Sequence, residues 1–141
     1  MAKQRSEYSS KFETAGDCIK KLRDLGRQAP TYAEYVKSWL IKDAAERNLH
    51  KAIEAILDIG KMIVADKGLK APESNREAFY ILAENGLFPA EYLELMDKMI
   101  GMRNVIVHGY DKVEDNVVYG VLKKNIKDIN KITAHLIKIS S

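Results

Sequence analysis

The sequence predicts an all-α fold, an antiparallel bundle of four to five helices. Apolar residues recur at alternating spacings of three and four along most of the chain, which is the period of an amphipathic helix. The breaks between these segments are short, which favours antiparallel neighbours. A chain of 141 residues can bury a core without disulfides or a structural metal. We therefore expect residues 1–141 to form a single helical domain.

The first predicted helix covers residues 8–25 and ends near Gly26. Thr31 and Glu34 then form a capping-box pattern, in which each side chain can bond to the backbone of the other residue. The helix that this pattern opens can run to about Lys67, although a glycine inside it, Gly60, argues against one unbroken rod. The apolar residues of the first stripe are Tyr8, Phe12, Ala15, Ile19 and Leu22; those of the second include Leu49, Ile53, Ile56 and Ile63.

Three further helices are predicted in the second half of the chain. A second capping box, at residues 74–77, opens a short helix that buries Phe79 and Leu82 and ends near residues 85–86. Pro89 suits the first turn of the next helix, which should extend to about residue 107. The last helix covers roughly residues 117–138, with an apolar stripe of Leu122, Ile126, Ile129, Ile132 and Leu136.

The composition excludes several classes of protein. The single cysteine, Cys18, cannot form an intrachain disulfide, and no apolar run is long enough to cross a bilayer or to serve as a signal peptide. There is no metal-ligand spacing and no phosphate-binding loop, so we expect no metal, no cofactor and no ATP binding by this chain. A net charge of +3 permits an anionic partner without requiring one. We expect a cytoplasmic protein without a membrane partner.

The segment "RNVIVHGY" (103–110) departs from the pattern of a simple bundle. A helical projection places Arg103 on the apolar face, in register with Met96, Ile100 and Val107. A guanidinium group cannot lose its charge there, and burying it without a partner would be costly. Three explanations remain open: an ion pair, a side chain that extends to the end of the bundle, or a site for an anionic ligand. The acidic candidates are Glu46, Glu54 and Asp58.

His108 follows Arg103 by five positions, and Gly109 favours the end of the helix at that point. The helix dipole favours a charged imidazole there, and the two side chains converge only if the helix ends or frays near residue 107. Arginine and histidine together suit phosphate chemistry, since one binds two oxygens and the other moves protons. A single histidine cannot serve as both acid and base, but a two-fold homodimer would supply a second copy.

Four polar residues on the second helix recur at spacings of three and four and so share one face. They are Arg47, His50, Glu54 and Asp58. One interpretation is a solvated stripe held by charge pairs. The other is that some of them line the cleft beside Arg103 and orient it. For Trp39 and its neighbouring tyrosines, packing in the core or in an interface is preferred to base stacking.

"RNVIVHGY" resembles the R-x4-H-x-Y signature of the HepT toxins, in the HEPN superfamily of metal-independent endoribonucleases. Two upstream segments are also similar to HepT proteins, "ERNLHKAIEAILDIG" (46–60) and "NGLFP" (85–89). The resemblance covers most of the chain from Thr31 onward. It implies a HEPN-type bundle that dimerises with the two motifs facing one cleft.

The resemblance also implies a function for each motif residue. Arg103 and His108 match the catalytic pair, and Asn104 matches a supporting polar position. Tyr110 matches a tyrosine that a partner, an MNT-type nucleotidyltransferase antitoxin, modifies with AMP to silence the toxin. The implied activity is RNA cleavage, with tRNA or mRNA as substrate, in a type VII toxin–antitoxin system.

Two other functions fit the residues. The same bundle could be a non-catalytic subunit that binds a nucleotide or substrate for a minimal nucleotidyltransferase, with Arg103 holding a phosphate. It could also be a structural dimerisation domain in which Arg103 is only an ion-pair partner. In that case Arg103→Met should preserve both stability and function, because buried ion pairs often tolerate apolar replacement.

Overall fold

The computed structural model describes residues 2–108 and 113–141, with side chains from residue 6 onward. No strand occurs in these two ranges, and the predicted all-α class is confirmed. A 3-10 turn precedes α5, and a π-helical turn joins α6 to α7. The helices in chain order are α1 (Ala2–Gln28), α2 (Tyr32–Lys37), α3 (Trp39–Asp66), α4 (Asn75–Glu84), α5 (Leu93–His108), α6 (Asp115–Gly120) and α7 (Ile126–Ser140).

The core lies mainly between the two longest helices, α1 and α3, with α7 packed against both. The predicted stripes face this core, and only Phe12 among their members is partly exposed. Complete burial of one such apolar side chain stabilises the fold by about 1.5–3 kcal/mol. The stripe predicted for the last helix is likewise buried, although α6 begins at Asp115, slightly before the predicted start.

The second predicted helix is interrupted at Ser38, so a continuous helix over residues 32–67 is wrong. Thr31 Oγ1 accepts from the backbone N–H of Glu34 at 3.2 Å, as predicted, and opens α2. Ser38 has extended backbone angles, and its Oγ accepts from the N–H of Ile41 at 3.2 Å. A serine side chain that satisfies a free N–H in this way competes with continuation of the preceding helix. A separate helix, α3, therefore begins at Trp39.

Gly60 does not break α3, contrary to what its residue type suggested. The ring of Phe79 from α4 packs directly on its backbone, and a Cβ built on Gly60 would lie 2.6 Å from Phe79 Cζ. Both residues are fully buried. The glycine is therefore a packing requirement of the α3–α4 contact, which outweighs its low helix propensity.

We expect Gly60→Ala to destabilise the protein by about 1–3 kcal/mol, because the added methyl group overpacks the core. The matched control is Gly16→Ala in α1, where nothing lies within 4 Å of the added Cβ. That change should stabilise the helix by about 0.5–1 kcal/mol. Urea unfolding of the two variants measures both effects. Equal stability of the two variants would contradict the packing role of Gly60.

The end of α3 and both ends of α4 lie where the capping residues and glycines of the sequence predict them. Ser74 Oγ accepts from the N–H of Glu77 at 3.1 Å and starts α4. Gly68 and Gly86 have positive φ angles of 67° and 71°, a conformation that glycine adopts without strain, and they follow the ends of α3 and α4.

The junction of α2 and α3 exposes apolar side chains. Trp39 is 68% exposed and Leu40 is 64% exposed, so packing of Trp39 in the core is wrong. Tyr35 is buried against Tyr119 instead. The described helices include none with the length and apolar character needed to cross a membrane.

Candidate functional site

Two ion pairs connect α3 to α5 and to α6. Arg103 pairs with Glu54, and Asp115 Oδ2 lies 3.3 Å from Lys42 Nζ. Residue 103 at the end of α5 therefore lies beside the middle of α3, and residue 115 at the start of α6 lies near the first turn of α3. The end of α5 therefore lies against the middle of α3, within the stretch from Arg47 to Asp58 that carries the four polar residues of the predicted stripe.

The apolar face of α5 differs from the projection. Its buried residues are Met96, Met99 and Met102, whereas Val107 is 43% exposed. Around the helix axis Arg103 lies between Met96 and Met99, as projected, and its side chain is 25% exposed. Val107 departs from the projection because it lies in the last turn of α5, where the helix no longer packs on the core.

Arg103 has two partners among the described side chains. Its Nε donates to the carboxylate of Glu54, and its Nη1 donates to Asn104 Oδ1 at 3.1 Å. The side chains of Arg103 and Glu54 are 25% and 37% exposed, so water reaches the pair. A pair this accessible contributes only about 0–1 kcal/mol, and an anionic ligand can displace the carboxylate.

Neither of the other two acidic candidates contacts Arg103 in the described part of the chain. Asp58 Oδ2 accepts from Lys11 Nζ at 2.8 Å, across the contact between α3 and α1. Burial raises the pKa of Glu46, as do the nearby carboxylates of Asp43 and Asp115, and Lys42 opposes the rise. Of the three candidates, Glu54 is therefore the partner of Arg103.

His50 lies one helical turn before Glu54, with its Nε2 3.7 Å from the same carboxylate oxygen that accepts from Arg103. One oxygen of Glu54 thus faces both an always-charged guanidinium group and a titratable imidazole. The sequence showed that His50 and Glu54 share a helical face. It could not show that Arg103, almost fifty residues later, meets them.

The four polar residues of α3 line a groove between α1 and α3, with a volume of about 290 Å³. We call it the α1–α3 groove. The interpretation as a charge-paired stripe holds for Glu54 and Asp58, which form ion pairs. The interpretation as a cleft lining agrees with the groove, which all four residues line. Sequence reasoning missed the opposite wall, which comes from α1. The lining residues are Ser10, Lys11, Thr14, Arg47, His50, Lys51, Glu54, Ala55 and Asp58.

His108 is exposed and is the last residue of α5. Because the helix continues through it, Arg103 and His108 are separated by about 140° around the axis. The helix ends within one residue of the predicted position, but the two side chains do not converge within one chain, because His108 is still helical. Residues 109–112, which include Gly109 and the predicted modification site Tyr110, lie outside the described residues.

His135 and Cys18 have structural roles. His135 Nε2 lies 2.6 Å from the carbonyl oxygen of Leu87, and the imidazole packs against the edge of Phe88. Cys18 is buried, and burial raises the pKa of its thiol. Within residues 2–108 and 113–141, no three histidine, cysteine, aspartate or glutamate side chains are grouped as metal ligands would be.

The fold and the site together define a class of protein: an all-α bundle with an accessible arginine–carboxylate pair, a terminal histidine on the same helix, and a polar groove beside them. The family model of the ribonuclease HepT-like proteins matches residues 15–136. The chain therefore belongs to the ribonuclease HepT-like family.

Individual relatives agree with this assignment. The mRNA nuclease HepT of Shewanella oneidensis is 27% identical over 122 residues, which cover 86% of this chain and 90% of that protein. A putative RNase of Archaeoglobus fulgidus is 30% identical over 105 residues, 74% of each chain.

Solved structures of toxin–antitoxin complexes share the fold. The tri-AMPylated HEPN toxin of Shewanella oneidensis, in complex with an MNT antitoxin, superposes with a TM-score of 0.82 at 26% identity, over 94% of this chain and 96% of that one. A toxin–antitoxin structure with AMP-PNP gives a TM-score of 0.80 at 25% identity, over 92% of this chain and 97% of that one.

Proposed function

We propose that this protein is the ribonuclease toxin of a type VII toxin–antitoxin pair and cleaves RNA without a metal ion. The observation that carries the proposal is the state of Arg103. It is a cation near the end of α5 whose side chain is 25% exposed, held by a carboxylate that a phosphate can replace. The mRNA nuclease and toxin relatives support RNA, as mRNA or tRNA, as the source of that phosphate.

In the proposed reaction His108 transfers protons and Arg103 binds the phosphate. His108 accepts the proton of a ribose 2′-OH, whose oxygen then attacks the adjacent phosphorus. The P–O5′ bond breaks, and the leaving 5′ oxygen takes a proton from a second imidazole. Arg103 exchanges Glu54 for the scissile phosphate and stabilises the charge that develops on its oxygens, while Asn104 orients the guanidinium group.

The second imidazole comes from a second copy of the chain. Arg103 and His108 diverge around α5 within one chain, so a cleft that contains an arginine and two histidines requires two motifs across a two-fold axis. An exposed apolar side chain within the motif supports such an interface: Val107 lies on the Arg103 side of α5 and is 43% exposed. We propose that the active toxin is a homodimer.

The antitoxin is proposed to be an MNT-type nucleotidyltransferase, which the complex of the Shewanella toxin with an MNT antitoxin supports. It would transfer AMP from ATP to the hydroxyl of Tyr110: the tyrosine oxygen bonds to the α-phosphorus, and pyrophosphate leaves. Tyr110 is two residues from His108 in sequence. A nucleotide attached there would add bulk and negative charge beside the histidine and would repel an RNA phosphate.

We expect Tyr110→Phe to remain toxic when it is co-expressed with the antitoxin gene, because the hydroxyl group that accepts AMP is gone. The parent chain should be neutralised under the same conditions, and its intact mass should increase by whole AMP units. The control is Tyr80→Phe, a tyrosine on α4 whose hydroxyl donates to Asp97 at 3.0 Å. Neutralisation of Tyr110→Phe as complete as that of the parent would contradict Tyr110 as the site.

Growth after induced expression tests the toxin assignment. The parent chain should arrest growth, and Arg103→Ala and His108→Ala should not. Circular dichroism of each purified variant shows whether it remains folded. If both variants are folded and as toxic as the parent, the assignment fails.

The ion pair between Arg103 and Glu54 also favours a second function, that of a binding subunit without catalysis. In that case Arg103 grips a phosphate for a partner nucleotidyltransferase. A nucleotidyltransferase that co-purifies with an unmodified protein that cuts no RNA would support this alternative.

A further inference from the structure

We propose that the α1–α3 groove binds the RNA phosphates that flank the scissile one, with Arg47 and Lys51 as the binding cations. The inference rests on the proposed function for the identity of the ligand, RNA. The groove itself is defined by described side chains and is separated from Arg103 only by Glu54, which both lines the groove and pairs with Arg103.

The balance of charge in the groove favours an anion. Its two carboxylates are already neutralised, Glu54 by Arg103 and Asp58 by Lys11. Arg47 and Lys51 form no ion pair with any side chain in the two described ranges. Two positive charges therefore face the groove without a protein counterion, and an anionic ligand can bind them without first breaking an ion pair.

The field of these cations reaches across the groove to α1. Burial raises the pKa of the Cys18 thiol and so does the carboxylate of Asp17, whereas the positive charges of Lys51, Lys21 and Arg47 lower it. The wall on α1 also presents the hydroxyl groups of Ser10 and Thr14, which can donate to phosphate oxygens.

The cations form a row that leads away from the proposed site of cleavage. Lys51 precedes Glu54 by three residues and Arg47 precedes it by seven, about 4.5 and 10.5 Å along the helix axis. Arg47 and Lys51 are four residues apart and therefore share one face of α3. A row of this kind matches the regular spacing of phosphates along a single strand.

The chemistry of the groove predicts binding to the RNA backbone rather than to bases. Its described lining contains no aromatic ring on which a base could stack. Ammonium and guanidinium groups recognise phosphate whatever the base sequence. The groove should therefore strengthen binding to different RNA sequences equally, and sequence preference must come from other parts of the protein.

The test measures RNA binding apart from cleavage, in the complete chain carrying His108→Ala. A short fluorescein-labelled single-stranded RNA is titrated at several KCl concentrations, and fluorescence anisotropy gives Kd. We expect Arg47→Gln with Lys51→Gln to raise Kd about tenfold and to reduce the slope of log Kd against log salt by about 1.4, for two lost phosphate contacts. The matched control is Lys127→Gln with Lys131→Gln, which removes the same charge from exposed positions on α7.

Equal Kd and equal salt dependence for the groove variant and the control variant would overturn the inference, as would no RNA binding by the His108→Ala chain at any salt concentration. The outcome is separable from that of the proposed function. A parent chain that binds RNA through the groove but does not cut it would overturn the ribonuclease proposal and leave the groove assignment standing.

Discussion

His108→Ala is expected to lower the rate of RNA cleavage by about 100- to 10,000-fold, the usual contribution of a positioned acid–base group. The residue is exposed at the last position of α5, so its loss should change the free energy of unfolding by no more than about 0.5 kcal/mol. Single-turnover cleavage and urea unfolding of the same preparation measure the two effects. A large loss of activity without a loss of stability would identify a chemical role.

The control for this variant is His135→Gln. His135 contacts the carbonyl oxygen of Leu87 and the ring of Phe88, far along the sequence from the motif. We expect it to affect stability more than cleavage. If His135→Gln removed cleavage from a folded protein while His108→Ala did not, the choice of histidine would be wrong.

Arg103→Ala is expected to lower cleavage by about 100- to 1,000-fold, because it removes a donor aimed at the developing charge of the phosphate. Arg103→Lys should recover only part of this loss, since an ammonium group lacks the planar fork that binds two phosphate oxygens. Single-turnover rates at saturating RNA concentration separate this effect from weaker binding.

The protein offers a matched control for the arginine. Arg76 Nε donates to Asp97 at 2.9 Å, and its guanidinium group lies 4.6 Å from the centre of the Tyr80 ring. Arg76→Ala therefore breaks an arginine–carboxylate pair of the same kind outside the motif, and cleavage should be unchanged. A structural role for Arg103 makes the opposite prediction, that Arg103→Met keeps both full activity and full stability.

The sequence predicted the fold well because its local signals agree with the packing. The stripes of α1 and α7 have clear periods, and the capping residues Thr31 and Ser74 make the predicted hydrogen bonds. The interruption at Ser38 was missed because a serine inside a helical pattern starts a new helix only when the tertiary structure favours the turn. The glycine at position 60 is explained by the ring of Phe79 from α4, which leaves no room for a Cβ. This contact between two helices cannot be read from the local sequence pattern.

The candidate site could be predicted only in part. The sequence identified Arg103 as a candidate from its residue type and its place on the helix, and it gave three carboxylates as possible partners. Only the structure shows how α5 is aligned on α3, and this alignment selects Glu54. The groove depends on α1, whose Lys11 and Thr14 looked like ordinary surface residues in the sequence. The role of Tyr110 comes from the family resemblance, and its test is chemical.

The central claim is that unmodified protein cuts RNA without a metal ion, using Arg103 and His108. The most direct measurement incubates purified RNA in excess EDTA with the parent chain, shown by intact mass to carry no AMP. We predict cleavage by the parent that leaves 2′,3′-cyclic phosphate ends, and almost none by an equal amount of folded His108→Ala. An intact RNA with the parent chain, or equal cleavage by the variant, would contradict the claim.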